Sequence, residues 1–266
     1  MKLALCQLDV TTDKAQNLLH AREMLFRAAD QGAAIAVLPE MFNIAYVPKL
    51  FAGVAEPCPG GETADMLSQT ARETGLFLIG GSIPELACDG IYNTSMAFHS
   101  NGEYLGKYCK AHLFDVDLPQ SGYRFMESDT IAPGNDTPLM LDGPLRTGVS
   151  ICFDIRFPEW ARFAMDAGAD LFALPAAFSR ATGPRHWSLL VRARALDNQF
   201  FVAGVSPAQS RSAYGHSMVA APDGRILHDC GEEPGVAVVE LDLSLLEEMR
   251  QSIPVAKARR KGLSSL

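Results

Sequence analysis

The 266-residue chain has no basic excess, no long apolar run and no paired cysteines, and each absence excludes something. Its 23 lysines and arginines are outnumbered by 31 aspartates and glutamates, a formal net charge of −8. A nucleic-acid footprint needs cations gathered on one face, so this balance argues against a nucleic-acid partner. Apolar runs such as residues 33–39 stop far below the ~20 residues of a membrane helix, so no membrane partner is expected either. Residues 1–6 run straight into Gln7, Asp9 and Asp13, without the apolar stretch and cleavage site of a signal peptide. None of Cys6, Cys58, Cys88, Cys109, Cys152 and Cys230 forms a C-x-x-C pair, and no two Cys or His sit at zinc-ligand spacing. The expectation is a cytoplasmic protein with reduced thiols and no metal, in which each cysteine is judged alone.

What is present is ordinary globular composition, 48% hydrophobic and 20% charged, which sets aside disorder, collagen and coiled coil. Strand-like and helix-like segments alternate. Residues 2–8 read as a buried strand. Thr12 or Asp13 can cap a helix in which Leu18, Ala21, Leu25 and Ala28 step by three and four until Gly32 stops it. Residues 34–38 read as a second strand, ending at Pro39-Glu40. A helix over Glu62–Thr74, a strand at 76–79, and a hairpin turning at Asn101-Gly102 between 92–98 and 103–108 come next. Residues 115–144, rich in proline and aspartate and without clean periodicity, read as a long ordered loop. Strands follow at 147–151, 171–174, 201–206, 216–221 and 236–241, with helices opened by Pro158 and Pro184 and a last one over 243–251. No linker divides the chain, so residues 1–266 read as one α/β domain.

One internal echo stands out. Residues 32–43 (GAAIAVLPEMFN) align with residues 168–179 (GADLFALPAAFS) at a constant offset of 136, with five of twelve positions identical. Two buried strands can match by chance; the alternative is a duplicated βα half, giving two sheets that face each other. In that case Glu40 is the informative difference, because the second copy has Ala176 there.

Three chemically capable residues follow strands: Glu40 after the second, Lys110 after the hairpin, and Cys152 after residues 147–151. Ligands of α/β sheets bind at the carboxyl ends of strands, so three such ends carry weight together. Singly, Cys152 could be a small core hydrophobe, Glu40 a solvent-side strand end, and Lys110 an edge residue that discourages strand pairing.

The local sequences Leu38-Pro39-Glu40-Met41-Phe42, Lys110-Ala111-His112-Leu113-Phe114-Asp115 and Ser150-Ile151-Cys152-Phe153-Asp154-Ile155-Arg156 together resemble the nitrilase superfamily of carbon–nitrogen hydrolases. The resemblance spans nearly the whole chain, and residues 110–117, 152–159, 182–187 and 195–199 are similar to its ω-amidase branch. It implies a four-layer αββα sandwich, a homodimer or higher homo-oligomer, no cofactor, and a small-molecule amide as substrate. It also implies Cys152 as nucleophile, Glu40 as general base, and Lys110 with the Phe153 N–H as oxyanion donors. Lys110 favours a Cys152 thiolate and Glu40 opposes it, so the sign of the thiol's pKa shift stays open. Glu127 matches a second recurring glutamate that orients Lys110 and the substrate; otherwise it is one more acid in an acidic loop.

Arg156 could pair bidentately with a substrate carboxylate, which suits the dicarboxylate monoamides that ω-amidases take, 2-oxoglutaramate and 2-oxosuccinamate among them. Alternatively it makes an internal salt bridge to Asp154 or Glu159. Tyr46, Phe178 and Thr182 match pocket positions of relatives, although Phe178 could be plain core and Thr182 a helix cap. Val47-Pro48-Lys49 replaces the usual Gly-containing turn and residues 208–213 are short, two departures that bear on substrate range. Other readings stay open: a deaminated-glutathione amidase, an N-carbamoyl amidohydrolase or a nitrilase; a Cys152–His186 acyl transferase or peptidase; and a non-catalytic interaction module.

Overall fold

The computed structural model describes residues 1–119, 122–210 and 213–260. The first half of the chain forms β1 (Lys2–Gln7), α1 (Lys14–Asp30), β2 (Ile35–Val37), α2 (Pro48–Val54), α3 (Glu62–Thr74), β3 (Phe77–Ile79), β4 (Ile83–Ala87), β5 (Gly90–Phe98) and β6 (Tyr104–Cys109). The second half forms β7 (Asp115–Leu118), β8 (Tyr123–Met126), β9 (Leu139–Leu141), β10 (Thr147–Val149), α4 (Pro158–Asp166), β11 (Leu171–Pro175), α5 (Gly183–Asn198), β12 (Phe201–Val205), β13 (Met218–Ala220), β14 (Ile226–Asp229), β15 (Gly235–Glu240), α6 (Ser244–Ser252) and α7 (Val255–Ala258).

Two sheets result. One has the order β15-β1-β2-β3-β5-β4, with β6 added to β5; the other has the order β14-β13-β12-β11-β10-β9. β1, β2 and β3 run parallel, and β10, β11 and β12 repeat that arrangement in the second sheet. Each echo segment therefore contributes the central strand of a parallel triplet. β15 pairs antiparallel with β1, so the far end of the chain completes the first sheet.

Strand alternation explains the layers. Leu3 and Leu5 of β1, with Ile35, Val37, Phe77 and Ile79, join a core that also holds Val149, Leu171 and Ala173 of the second sheet. Their neighbours Ala4, Cys6, Ala36 and Leu78 face the other way, onto Leu18, Ala21 and Leu25 of α1 and Leu67 and Ala71 of α3. A strand buried on both faces reads as a continuous apolar run, as residues 34–38 do. On the second sheet Trp187 and Val191 of α5 pack so closely that a Cβ on Gly204 would lie 2.6 Å from the indole. The layers are thus helix, sheet, sheet, helix, as the resemblance implied.

The reading of residues 115–144 as a loop needs correction. β7 and β8 form a hairpin there, from Asp115↔Met126 to Leu118↔Tyr123, a 3-10 turn follows at Glu127–Asp129, and β9 edges the second sheet. These strands are three or four residues long and half exposed, which leaves too few apolar positions to display a period. The seven-residue α2 and the strand β4, which carries the buried Glu85, were invisible for similar reasons. No helix among the described residues is long and apolar enough to cross a membrane.

Candidate active site

Glu40 lies just past β2, Lys110 just past β6, and Cys152 just past β10, so strand ends from both sheets meet at one place. Cys152 opens a 3-10 turn, Cys152–Arg156, with a φ of +44°, a left-handed conformation that costs a non-glycine residue about 1–3 kcal/mol unless its surroundings enforce it. Asp154, fully buried, does the enforcing. Its Oδ2 accepts from the Ile151 N–H at 3.0 Å and the Tyr108 hydroxyl at 2.8 Å. Its Oδ1 accepts from the His112 N–H at 3.1 Å and faces His112 Nδ1 at 2.7 Å. Met41, next to the proposed base, also has positive φ, and Ser82 Oγ accepts its N–H at 3.0 Å. Both bends turn side chains at strand ends toward the gap between the sheets.

The charged groups form one buried network. Lys110 Nζ is 2.8 Å from Glu40 Oε1 and 2.8 Å from Glu127 Oε2, and all three side chains are at most 1% exposed. Glu127 Oε2 also accepts the Phe114 N–H at 2.7 Å, while its Oε1 accepts the Tyr46 hydroxyl at 2.7 Å and Asn93 Nδ2 at 3.2 Å. Glu40 Oε1 accepts Asn93 Nδ2 at 2.7 Å, and its Oε2 accepts the Ala177 N–H at 2.7 Å. A buried ion pair survives only when such bonds satisfy its remaining lone pairs. Cys152 lines the same cavity as Glu40 and Lys110, and both charges act on its thiol.

The electrostatics follow from this geometry. Burial opposes the charge on Lys110, but Glu127 and Glu40 more than restore it and hold the ammonium well above its ordinary 10.5. Burial likewise opposes ionisation of Glu127, yet Lys110, the Phe114 N–H and the Tyr46 hydroxyl bring its carboxyl below the ordinary 4.5. Burial first, then the Glu40 charge, pushes the Cys152 thiol well above its ordinary 9.0 against the pull of Lys110. The sign left open by sequence is therefore upward: burial and the Glu40 charge disfavour the Cys152 thiolate. Cys109 also has a glutamate and a lysine beside it, Glu85 and Lys107, but neither it nor Cys58 lines the cavity; burial lifts Cys6 and Cys230 to about 12, and neither of them lines it either.

A cavity of about 420 Å³ opens on the network, lined by Glu40, Lys110, Cys152, Tyr46, Phe153, Phe178 and Thr182 among others. Phe178 is at once core and wall, 3% exposed with its ring 4.8 Å from that of Trp187. Thr182 precedes α5, but its hydroxyl makes no cap hydrogen bond. Arg156 is placed differently. It is not among the lining residues; its guanidinium is 5.6 Å from the Phe153 ring centroid and 5.3 Å from that of Phe178, two residues that are, and Nη2 donates to His186 Nδ1 at 3.1 Å. Among the described residues Arg156 makes no ion pair; Asp154 is committed to the nucleophile turn instead. His186 thus faces Arg156, while the charged groups that act on Cys152 are Glu40, Lys110 and Arg156 itself.

Sequence reasoning missed Asn93, Asp154 and the Ala177 N–H. Asn93 did leave a trace, a polar Asn-Thr-Ser run inside a strand, where asparagine is disfavoured. The Ala177 contact closes the internal echo: the Glu40 N–H donates to the carbonyl of Ala176, its counterpart in the second copy, at 3.2 Å.

A model of the carbon–nitrogen hydrolase family matches residues 2–251. The ω-amidase NIT2-A of Xenopus laevis is 45% identical, over 98% of this chain and 96% of its own. Saccharomyces cerevisiae Nit3, a member of branch 10 of the nitrilase superfamily, superposes with a TM-score of 0.88 at 38% identity, covering 98% of this chain and 96% of that one. A glutamate-to-glutamine mutant of the amidase from Nesterenkonia sp. AN1, with acrylamide added at its active-site cysteine, superposes with a TM-score of 0.80 at 27% identity, covering 97% of this chain and 99% of that one.

Proposed function

The chain belongs to the carbon–nitrogen hydrolase family, and from that premise we propose that it releases ammonia from the terminal amide of small dicarboxylate monoamides, such as 2-oxoglutaramate and 2-oxosuccinamate, through a thioester on Cys152. The observation that carries this reading is the convergence at the cavity: Lys110 Nζ sits 2.8 Å from both Glu40 and Glu127, and Cys152 lines the same cavity as Glu40 and Lys110.

Glu40 takes the thiol proton as Cys152 attacks the amide carbon. The carbonyl oxygen becomes an oxyanion beside the Lys110 ammonium and the Phe153 N–H, one of the early N–H groups that a helical turn leaves without an internal acceptor. Protonated Glu40 hands its proton to the amide nitrogen, the C–N bond breaks, and ammonia leaves. Glu40 then deprotonates a water that attacks the thioester, which frees the carboxylic acid and returns the proton to sulfur. Glu127, saturated by four donors, holds Lys110 in place throughout.

Support for an anionic substrate comes from Arg156, a cation without a carboxylate partner among the described residues, packed against the cavity-lining rings of Phe153 and Phe178. A second reading, a bulkier peptide-like amide, is favoured by the cavity itself, whose ~420 Å³ and aromatic walls exceed the needs of a five-carbon acid. Ammonia release across a panel of amides, carbamoyl compounds and nitriles separates them. Turnover of 2-oxoglutaramate, with KM raised about tenfold or more by Arg156→Lys and no such change for a neutral amide, is the expected outcome. Cleavage of the bulky amide alone selects the second reading.

A further inference from the structure

We infer that Asn93 is a positioning residue that holds the general base and the lysine-anchoring glutamate apart and aimed, through one uncharged amide that donates to both. This rests on the assignment of Glu40 as base.

The register of the sheet puts Asn93 there. β5 pairs with β6 so that Thr94 opposes Cys109; Asn93 is therefore opposite Lys110, and directly opposed residues point to the same face. The Lys110 N–H donates to the Asn93 carbonyl at 2.8 Å, so the main chain of Asn93 fixes the lysine while its side chain fixes the acids. Nδ2 lies 2.7 Å from Glu40 Oε1 and 3.2 Å from Glu127 Oε1. The residue is fully buried, and its Oδ1 has no partner among the described residues. Its donor end is used twice, once on each acid.

Two carboxylates that share one lysine repel each other. A second cation would cancel the charge that Glu40 uses to draw the thiol proton. A neutral donor relieves the repulsion without that loss, because hydrogen bonds to the ionised form favour it. The groups that face this point are Lys110 after β6, Glu127 after β8, Tyr46 after β2 and Cys152 after β10. Besides the Ala177 and Phe114 N–H groups, the donors to the two acids are Lys110, Tyr46 and Asn93, so removal of Asn93 leaves Glu40 Oε1 with Lys110 and a distant 3.4 Å contact from Tyr46.

The experiment compares wild type with Asn93→Ala and Asn93→Leu, the second keeping the shape and losing the donor. Ammonia release is followed as kcat and KM from pH 4 to 9, and thermal melting checks the fold. The expected result is a fall in kcat of about 10- to 100-fold with KM nearly unchanged, and an acidic limb of kcat/KM displaced to higher pH in both variants. An undisplaced limb, whatever the fall in kcat, overturns the proposal, as does loss of the fold in both variants, which assigns Asn93 to the fold alone. Glu40→Gln in parallel separates the two levels. If it remains active, the base assignment fails; if it is inactive while the Asn93 variants keep the wild-type profile, only the role of Asn93 fails.

Discussion

The two echo segments, residues 32–43 and 168–179, have the same local structure and opposite duties. Each contributes the central strand of a parallel triplet, β2 and β11, and each leaves its strand through Leu-Pro. The first then supplies a side chain, Glu40; at the corresponding place the second has Ala176 and supplies main chain. Ala176 accepts the Glu40 N–H at 3.2 Å, and the next residue, Ala177, donates its N–H to Glu40 Oε2 at 2.7 Å. One copy contributes the carboxylate and the other the main-chain groups that hold it. Where two sheets face each other, equivalent strand ends meet, and only one of them has room for a long acidic side chain; a small residue opposite is what admits it. The phenylalanines two positions on diverge in the same manner, with Phe42 buried against helices α1 and α3 and Phe178 turned to the cavity wall.

The largest expected effect breaks this asymmetry outright. Glu40→Gln keeps the shape of the first copy and removes its base, so ammonia release is expected to fall about 10²- to 10⁴-fold. Retention of activity within tenfold would move the base elsewhere. The phenylalanine pair sharpens the comparison: Phe42→Ala is expected to lose about 3–5 kcal/mol of unfolding free energy in urea melts with little change in KM. Phe178→Ala is expected to raise KM as well, and equal effects on KM at the two positions would contradict the division of labour.

Smaller and pH-dependent is the effect of the glutamate that lies outside both copies. The carboxyl of Glu127 is held below 4.5, so its stabilising contribution is complete above about pH 4.5 and is lost as pH falls from there through the folded-state value. Glu127→Gln is therefore expected to destabilise the protein at pH 7 and progressively less in acid. Urea midpoints at pH 7 and pH 4 measure this, and a destabilisation that grows on acidification contradicts it.

How much of this was legible before the structure depended on how local each signal is. Buried parallel strands, helix caps and the Asn101-Gly102 hairpin announce themselves within a few residues, and β2, α1, β5 and β6 lie close to where the pattern placed them. The hairpin β7–β8 and helix α2 are short and half exposed, so hydrophobic periodicity had nothing to display. In the site, Glu40, Lys110, Cys152 and Glu127 were named from short motifs, and the structure brings all four together. Apart from the local bond between Asp154 and Ile151, the groups that were missed (Asn93, Asp154 and the Ala177 N–H) act through partners 17 to 137 residues away, and no motif joins such distances.

By itself the sequence determined which residues carry chemistry, because a thiol, a carboxylate and an ammonium have their reactivity wherever they are placed. It also determined the paired strands that carry them, through apolar runs bounded by Gly and Pro. Only the tertiary structure decided the state of those groups. Burial and the Glu40 charge push the Cys152 thiol up, two carboxylates keep Lys110 charged, and Arg156 packs against two aromatic rings of the cavity lining. Proton affinity and reach depend on distance and desolvation, and both come into existence when the two sheets close on each other.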